Sequence, residues 1–408
     1  MTTGTFSRRR PLVGVLGPAL VAGVAYLDPG NVATNLAAGS QYGYLLVWVL
    51  VGANLAAWLF QFLSAKLGLV TGQSLPRLLG VRIKSVLARR LFWVQAEIVV
   101  IATDVAEVVG GAIALKLLTG LPLLFGGLLT SALSLLLVAL RRYGNGRFNA
   151  VVIGLLLVTA VGFSFGIIGS PVNLNELAGG LIPGVADGNS LMLATSMIGA
   201  TIMPHAIYAH SSLSRDSAVG PLAGIPRILR LTKLDVTLAL VIAGLGNLAI
   251  LVVAAANLSG SAAELTIARA FELLTQQLGV SAGLVFAVAL LASGLASSAV
   301  GNYAASEISA GLLRKKMSPL RRWLIAMVPA LLILALAPNV TSALIFSQVV
   351  LSIGLPFALY PLVRFTACRK LMGSYANQRK TTVVGYGVAT ILTGLNITMV
   401  AIMVLGYQ

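Results

Sequence analysis

The chain consists of long runs of apolar residues that are separated by short polar stretches. Each run is close to the roughly 20 residues that an α-helix needs to cross a bilayer. This pattern predicts an all-α membrane protein with 11 membrane-spanning helices. Their predicted bounds are residues 12–38, 44–70, 91–118, 121–140, 149–169, 190–213, 235–257, 283–310, 323–337, 341–363 and 383–406.

The first and sixth predicted spans are each interrupted by helix-breaking residues. "AYLDPGNVATN" (25–35) places an acid, a proline, a glycine and an amide at positions 28–31, and "SMIGATIMPHAIYAHSSL" (196–213) places Met203 and Pro204 in mid-span. An ionised Asp at the bilayer centre costs at least about 2.5 kcal/mol, and Pro and Gly both weaken a helix. Taken alone, either break could be a proline kink of the kind that membrane helices tolerate.

The two breaks occupy the same position in two successive sets of five spans. An odd number of spans per set gives the two sets opposite orientations in the membrane. Paired interruptions at corresponding positions indicate a transporter with inverted repeats and a binding site at the bilayer midplane. The predicted division is a cytoplasmic N-terminus (1–11), a first repeat (12–169), a second, inverted repeat (190–363) and an extra helix (383–406).

Composition and charge support the membrane interpretation. Only 10% of the residues are charged, against about 25% in soluble domains. The net charge of +17 could suggest a nucleic-acid partner, but all 28 basic residues except Lys116 and Arg269 fall in every second loop or at the adjoining helix ends. This distribution follows the positive-inside rule. It predicts a cytoplasmic N-terminus, an extracytoplasmic C-terminus and no nucleic-acid partner.

Two further features of the sequence narrow the class of protein. The basic run 8–10 followed by apolar residues is similar to a signal peptide, but no A-x-A site precedes "LDPGN", so we predict no cleavage there. The single Cys368 excludes an internal disulfide and a cysteine-based metal cluster. No hydrophilic stretch is long enough for a separate soluble domain.

The residues at the two breaks are suited to a metal ion. Asp28 offers an anionic oxygen, and Asn31 lies one helical turn further on with a neutral amide oxygen. The backbone carbonyls of Ala25 and Ala200 could point into the breaks, and Met203 offers a thioether. Oxygen ligands alone would suit Mg²⁺ or Ca²⁺, whereas a thioether favours softer transition metals. The alternative for Met203 is that it fills a gap in the packing.

The third predicted span carries three acids on one face. Glu97, Asp104 and Glu107 are spaced seven and three residues apart, and they cannot face lipid. They must be neutralised by protons or by arginines, for which Arg321 and Arg322 are the candidates. The row is interpreted as a proton path or, alternatively, as a set of buried salt bridges.

Two histidines and one glutamine are further candidates. His205 and His210 are five residues apart and so do not share a helical face, which excludes a paired zinc site on one helix. His210 lies on a stripe with Ala200 and Met203 at helical spacing, and an intramembrane His is typical of a pathway or proton group. Gln348 is a lone amide in the tenth span and could join an ion shell or bridge two helices.

At these residues the sequence resembles the Nramp (natural resistance-associated macrophage protein) family of divalent-metal transporters. The matching stretches are spread over most of the chain. They are "DPGN" (28–31), "QAEIVVIATDVAE" (95–107), "GATIMPHAIYAHSSL" (199–213), "LLASGLASSAVG" (290–301) and "SQVVLSIGLPFAL" (347–359).

The resemblance implies proton-coupled import of Mn²⁺ or Fe²⁺, with Cd²⁺ and Co²⁺ as further substrates, on a leucine-transporter-like fold in the cytoplasmic (inner) membrane. We predict no cofactor and no obligate protein partner. The implied metal ligands are Asp28, Asn31, Met203 and the carbonyls of Ala25 and Ala200, with Gln348 joining them in at least one conformation. The implied proton route comprises Asp28, Asp104, Glu107, Arg321 and Arg322, with His205 and Glu97 nearby. Relatives that carry Mg²⁺ lack the Met, so Met203 indicates a transition metal.

Three other functions fit the sequence less well. A sodium- or proton-coupled symporter of amino acids or other organic solutes could share the fold, but it gives no reason for a Met beside the break. A channel would need a filter-like loop, which we do not find in the sequence. An enzyme would need a nucleophile–base pair or catalytic metal spacing, and neither is visible, so we predict that the protein is not an enzyme.

Overall fold

The computed structural model describes residues 17–140, 144–217, 224–259, 266–315, 317–337 and 339–405. All regular elements in these ranges are helices. The predicted cytoplasmic N-terminus 1–11 lies outside the described residues, as do the first residues of the first predicted span and the last residue of the eleventh.

The first half of the chain forms the helices of the first predicted repeat and two short connecting helices, α4 and α8. A 3₁₀ turn, Val24–Leu27, follows α1. The helices are α1 (Pro18–Gly23), α2 (Pro29–Tyr42), α3 (Val47–Thr71), α4 (Leu75–Arg82), α5 (Val86–Thr119), α6 (Leu123–Ala139), α7 (Asn145–Phe165) and α8 (Leu174–Gly179).

The second half forms the helices of the second predicted repeat, a surface helix (α12), a short helix (α16) and the extra helix (α17). The helices are α9 (Gly188–Thr201), α10 (Pro204–Ser217), α11 (Ile225–Asn257), α12 (Ile267–Leu278), α13 (Val280–Leu312), α14 (Pro319–Leu336), α15 (Val340–Ala367), α16 (Arg369–Met372) and α17 (Arg379–Leu405).

Each of the 11 predicted spans coincides with one helix or with a pair of half-helices. Eight helical segments in the described residues are long and apolar enough to cross a membrane, and Pro18–Leu27 and Leu123–Ala139 are shorter apolar helices. The multi-pass membrane architecture is therefore confirmed, while the count of eleven crossings stays a prediction. The largest difference is at α11, which begins at Ile225 rather than near residue 235. Its first turns carry basic residues, so the helix extends beyond its apolar run.

Both predicted breaks are present, and the local sequence explains them. α1 ends in the 3₁₀ turn, Asp28 is extended (φ −74°, ψ 166°), and α2 restarts with Pro29 in its first turn. Asp is a preferred N-cap residue and Pro is favoured at the first helical position. In the sixth span α9 ends at Thr201 and α10 restarts at Pro204, which leaves two residues between the half-helices.

The broken spans lie at the centre of the bundle. The most apolar 18-residue stretch is 89% buried in the segment Gly188–Ser217, 83% buried in α5, and only 28% buried in the last span. The half-helix α2 packs against α9 and α11, and α5 packs against α13, α15 and α14. The acids of α5 and the two breaks therefore share the interior, and α17 lies at the periphery.

Candidate metal site

Asp28 accepts hydrogen bonds from the described residues on one of its two carboxylate oxygens. Oδ1 accepts the backbone N–H of Asn31 at 2.7 Å, which is the N-cap bond of α2, and also the side-chain amide of Asn31 at 2.8 Å. The fold thus places a carboxyl group at the break and leaves its Oδ2 without a hydrogen-bond donor among the described residues.

The amide of Asn31 joins the first break to the second. Its Nδ2 donates to Asp28 Oδ1 and, at 3.0 Å, to the carbonyl oxygen of Ala200 in the last turn of α9. Because both partners are acceptors, the amide nitrogen must face them and the amide oxygen must turn the other way. The Asn31 side chain is therefore fixed with Oδ1 available to a ligand.

Gln348 of α15 packs against glycines of both broken spans. A Cβ at Gly30 would overlap the side-chain amide of Gln348, and a Cβ at Gly199 would overlap the backbone carbonyl of Gln348 and lie 2.8 Å from the Cβ of Ser352. Only residues without a side chain allow α15 to approach this closely. The tenth span is thus in direct contact with the residues on either side of the site.

Three oxygens at this meeting point are buried and have no donor among the residues that the structure describes. They are Asp28 Oδ2, Asn31 Oδ1 and Gln348 Oε1. Leaving a buried acceptor unsatisfied costs about 1–3 kcal/mol, so each of the three oxygens is a candidate ligand for a cation. Met203, between the two half-helices of the sixth span, is completely buried, as are Ala25 and Ala200.

Polar residues from two other spans satisfy the carbonyls that the first break frees. Asn247 of α11 donates to the carbonyl of Tyr26 at 2.6 Å, and the hydroxyl of Ser293 in α13 donates to the carbonyl of Leu27. Asn35 in turn donates to Asn247 at 2.9 Å. Sequence reasoning missed these residues, and the available signal was a lone polar side chain within each apolar span.

The acids of α5 form a buried ion-pair cluster with one arginine. Arg322 of α14 bonds Glu97 at 2.9 Å and also bonds Asp104, and its side chain is 5% exposed. Arg321 lies on the exposed face at the start of the same helix. The sequence pairs the two arginines as counter-charges, but the structure separates them, because successive helical residues point about 100° apart.

Glu107 connects this cluster to the first break. Neither of its carboxylate oxygens has a hydrogen-bond partner in the described ranges. One turn further along α5, Pro29 packs where Gly110 lacks a side chain. Gly301 of α13 lies opposite, and a Cβ there would be 3.3 Å from both Glu107 oxygens and 3.6 Å from Asp104 Oδ1. The buried acids therefore extend from Arg322 to the residue that follows Asp28.

The two histidines face different helices. His205 Nδ1 is 3.2 Å from the hydroxyl of Thr103, the neighbour of Asp104 in α5. His210 Nδ1 is 2.6 Å from Gln61 of α3, whose amide nitrogen bonds the hydroxyl of Tyr26. The predicted stripe that ends at His210 does not run as one helix face, because the helix stops and restarts within it. His205 adjoins the acid cluster, and His210 does not.

The ends of α2 and α9 that lie away from the breaks are also joined. The Tyr42 hydroxyl donates to Asp187 at 2.7 Å, and Asn189 donates to Gln41 at 2.8 Å. The backbone N–H of Ser190 and the Tyr42 hydroxyl hold the pKa of Asp187 below its ordinary value. The lowered pKa keeps this carboxylate ionised to a lower pH than an ordinary Asp, and its hydrogen bond from Tyr42 joins the two half-helices.

Gly199→Ala is expected to lower the free energy of unfolding by about 1–3 kcal/mol, because overpacking a tight contact forces the backbone apart. The new Cβ would meet rigid atoms of α15, including the Ser352 nitrogen at 2.7 Å. Thermal unfolding in detergent measures the effect. Gly52→Ala is the matched control, since that helical glycine has no atom of another element within 4 Å of the Cβ position. Equal unfolding temperatures for the two variants would contradict the packing described here.

Comparison with known proteins adds independent information. The family model described as "Natural resistance-associated macrophage protein-like" matches residues 19–402. The chain is 49% identical over 397 residues to the divalent metal cation transporter MntH of Mycobacterium tuberculosis, covering 96% of this chain and 92% of the relative. It is 38% identical over 395 residues to the protein of the same name from Bacillus subtilis, with 96% and 92% covered.

Solved structures of similar architecture also match nearly the whole chain. A mutant of the Eremococcus coleocola manganese transporter superposes with a TM-score of 0.86 at 29% identity and covers 98% of this chain and 90% of its own. Mhp1, a nucleobase-cation-symport-1 family transporter, superposes with a TM-score of 0.59 at 18% identity, with 96% and 91% covered. The second likeness concerns the fold alone. Together they confirm the predicted leucine-transporter-like, all-helical membrane fold.

Proposed function

Because the chain belongs to the Nramp family and is a divalent metal transporter, we propose that it imports Mn²⁺ or Fe²⁺ together with protons. The family membership rests on the match over residues 19–402 and on the named relatives. A divalent substrate such as Mn²⁺ agrees with the manganese transporters of the same architecture. We infer the further substrates Fe²⁺, Cd²⁺ and Co²⁺ from the ligand chemistry. We infer the proton as the coupled ion from the acids of α5.

The metal is held where the two breaks meet. The observation that carries this assignment is a set of three buried oxygens, beside the Asn31–Ala200 hydrogen bond, that have no donor in the part of the chain that the structure describes. An Ala200 carbonyl that already accepts one hydrogen bond keeps a second lone pair for a ligand. The proposed ligands are Asp28, Asn31, Met203, Gln348 and the carbonyls of Ala25 and Ala200.

Protons follow the acids of α5. Metal and proton compete for the Asp28 carboxylate, because a ligand must be deprotonated to bind. A proton that leaves Asp28 passes to Glu107, then to Asp104 and the Glu97–Arg322 pair, with His205 beside this route. We leave Arg321 out of the route because its side chain is exposed. His210 also lies outside this route, because its ring bonds the side chain of Gln61.

The transport cycle uses the inverted-repeat architecture. One bundle rocks against the other around the fixed site and exposes it to each side in turn. The membrane potential adds about 2.3 kcal/mol per elementary charge per 100 mV, so a dication and a proton both gain from inward movement. The proposal includes the repeat boundaries 12–169 and 190–363, a location in the inner membrane, a cytoplasmic N-terminus and an extracytoplasmic C-terminus. These parts of the proposal rest on the sequence pattern.

Uptake into proteoliposomes tests the function. We expect Mn²⁺ uptake that rises when the outside is made acidic, and acidification of the lumen when Mn²⁺ is added without an imposed pH gradient. An excess of alanine or leucine should leave uptake unchanged. Competition by either amino acid, or dependence on sodium, would instead favour the organic-solute symporter.

Met203→Ala is expected to keep Mn²⁺ binding and to lose discrimination against Ca²⁺ and Mg²⁺, because the remaining ligands are all oxygens. Competition of each ion against radiolabelled Mn²⁺ measures this. Met197→Ala is the matched control, since Met197 is also buried but lies within the unbroken part of α9. Unchanged selectivity in Met203→Ala would refute the thioether as a ligand.

A further inference from the structure

The tenth span contains a proline where its helix should hydrogen-bond to itself. Pro356 lies inside α15. A proline has no backbone N–H, so it cannot donate to the carbonyl four residues earlier. That carbonyl belongs to Ser352, which is completely buried. An unsatisfied carbonyl at this depth carries a free-energy cost.

A side chain of the last span supplies a donor to this carbonyl. Asn396 of α17 donates its Nδ2 to the Ser352 carbonyl at 2.8 Å, and its Oδ1 accepts the Ser352 hydroxyl at 2.6 Å. Asn396 is 5% exposed although α17 lies at the periphery of the bundle. Both polar ends of the amide are therefore used on one residue of α15.

Ser352 is one helical turn from the proposed metal ligand Gln348, on the same face of α15. The second broken span packs against this same turn of α15. The Cβ position of Gly199 contacts the carbonyl of Gln348 and the nitrogen and Cβ of Ser352. The two bonds from Asn396 thus fix the turn that carries Gln348 and that packs against the end of α9.

We propose that Asn396 is a positioning residue of the metal site. It completes the α15 turn at Pro356 and thereby sets the place of Gln348 relative to Asp28 and Asn31. This inference rests on the proposed metal site. It gives the extra helix, which lies outside both predicted repeats, a role in metal binding.

The first test is Asn396→Leu, which removes the amide and keeps much of the volume. Loss of a residue that orients a metal ligand typically weakens metal affinity by 10–100-fold, so we expect the KM for Mn²⁺ to rise about tenfold. The maximal rate should change less. Thr393→Ala is the matched control, because that hydroxyl bonds the carbonyl of Ala389 within α17 itself; its KM should stay at the wild-type value.

Two double variants separate positioning from general stability. Pro356→Ala restores a backbone N–H at residue 356, so in Asn396→Leu it should return the KM most of the way to that of Pro356→Ala alone. Gln348→Ala should add little to Asn396→Leu, because coupled residues are not additive. An unchanged KM in Asn396→Leu would overturn the inference. It would also be overturned if Pro356→Ala brought no recovery and the effect of Gln348→Ala were fully additive.

If Asn396→Leu alone does not fold, the double variant with Pro356→Ala still tests the proposal. The double variant with Pro356→Ala must then fold and match Pro356→Ala in KM, and a double variant that also misfolds or has a higher KM overturns the proposal. Wild type and Asp28→Ala are measured in the same series. If wild type takes up no Mn²⁺, or Asp28→Ala is fully active, the proposed site itself fails. If both behave as expected and Asn396→Leu has no effect, only the role of Asn396 fails.

Discussion

Asp28→Ala is expected to reduce Mn²⁺ uptake to the background of protein-free liposomes. Asp28 is the single ionisable group among the proposed ligands, and it is completely buried. Without its charge, a dehydrated dication at the centre of the bilayer would meet only neutral ligands, and burying an unpaired charge is very costly. Uptake of radiolabelled Mn²⁺ into proteoliposomes measures the effect, with equal amounts of folded protein in each sample.

Asp28→Asn separates the charge from the structural role of this residue. Asn is as good an N-cap as Asp, so the start of α2 and the unfolding temperature should be preserved. Mn²⁺ uptake should nevertheless be lost. Substantial uptake by Asp28→Asn would show that the negative charge is not needed, and full uptake by Asp28→Ala would rule out the site.

Arg322→Ala is expected to lower the free energy of unfolding by about 3–5 kcal/mol, which is the usual cost of removing one partner from a buried ion pair. Glu97 and Asp104 would both lose their counter-charge in the bundle interior. Proton-coupled uptake should fall with it, because Asp104 lies on the proposed route. Thermal unfolding in detergent and Mn²⁺ uptake across a pH gradient measure the two effects.

Arg321→Ala is the control for this substitution. The two arginines are adjacent in sequence and identical in chemistry, but the Arg321 side chain is exposed. Surface substitutions usually change stability by less than about 0.5 kcal/mol. Equal loss of stability and uptake in the two variants would contradict the ion-pair arrangement, and a larger effect of Arg321→Ala would reverse the roles assigned to the two residues.

The breaks at Asp28 and Pro204 could be predicted because their cause is local. A proline within an apolar run stops a helix wherever the rest of the chain goes, and Asp before Pro-Gly caps the helix that follows. The face shared by Glu97, Asp104 and Glu107 could also be predicted, since helical spacing alone puts them on one side. In both cases residues that are close in sequence determine the local structure.

The choice between Arg321 and Arg322 could not be predicted in this way. It depends on the rotation of α14 about its own axis, which is set by packing against α5 and α6. The partners of freed carbonyls were missed for a similar reason. Asn247, Ser293 and Asn396 are isolated polar residues in apolar spans, and only the assembled bundle shows which carbonyl each one meets.

A structure of the protein with bound Mn²⁺ would locate the metal through its anomalous scattering and so test whether it lies where the two breaks meet. We expect one strong peak in contact with Asp28 Oδ2, Asn31 Oδ1 and the sulfur of Met203, and we expect the peak to be lost in Asp28→Ala. A principal peak elsewhere in the bundle, or a peak at the breaks that persists undiminished in Asp28→Ala, would contradict this expectation.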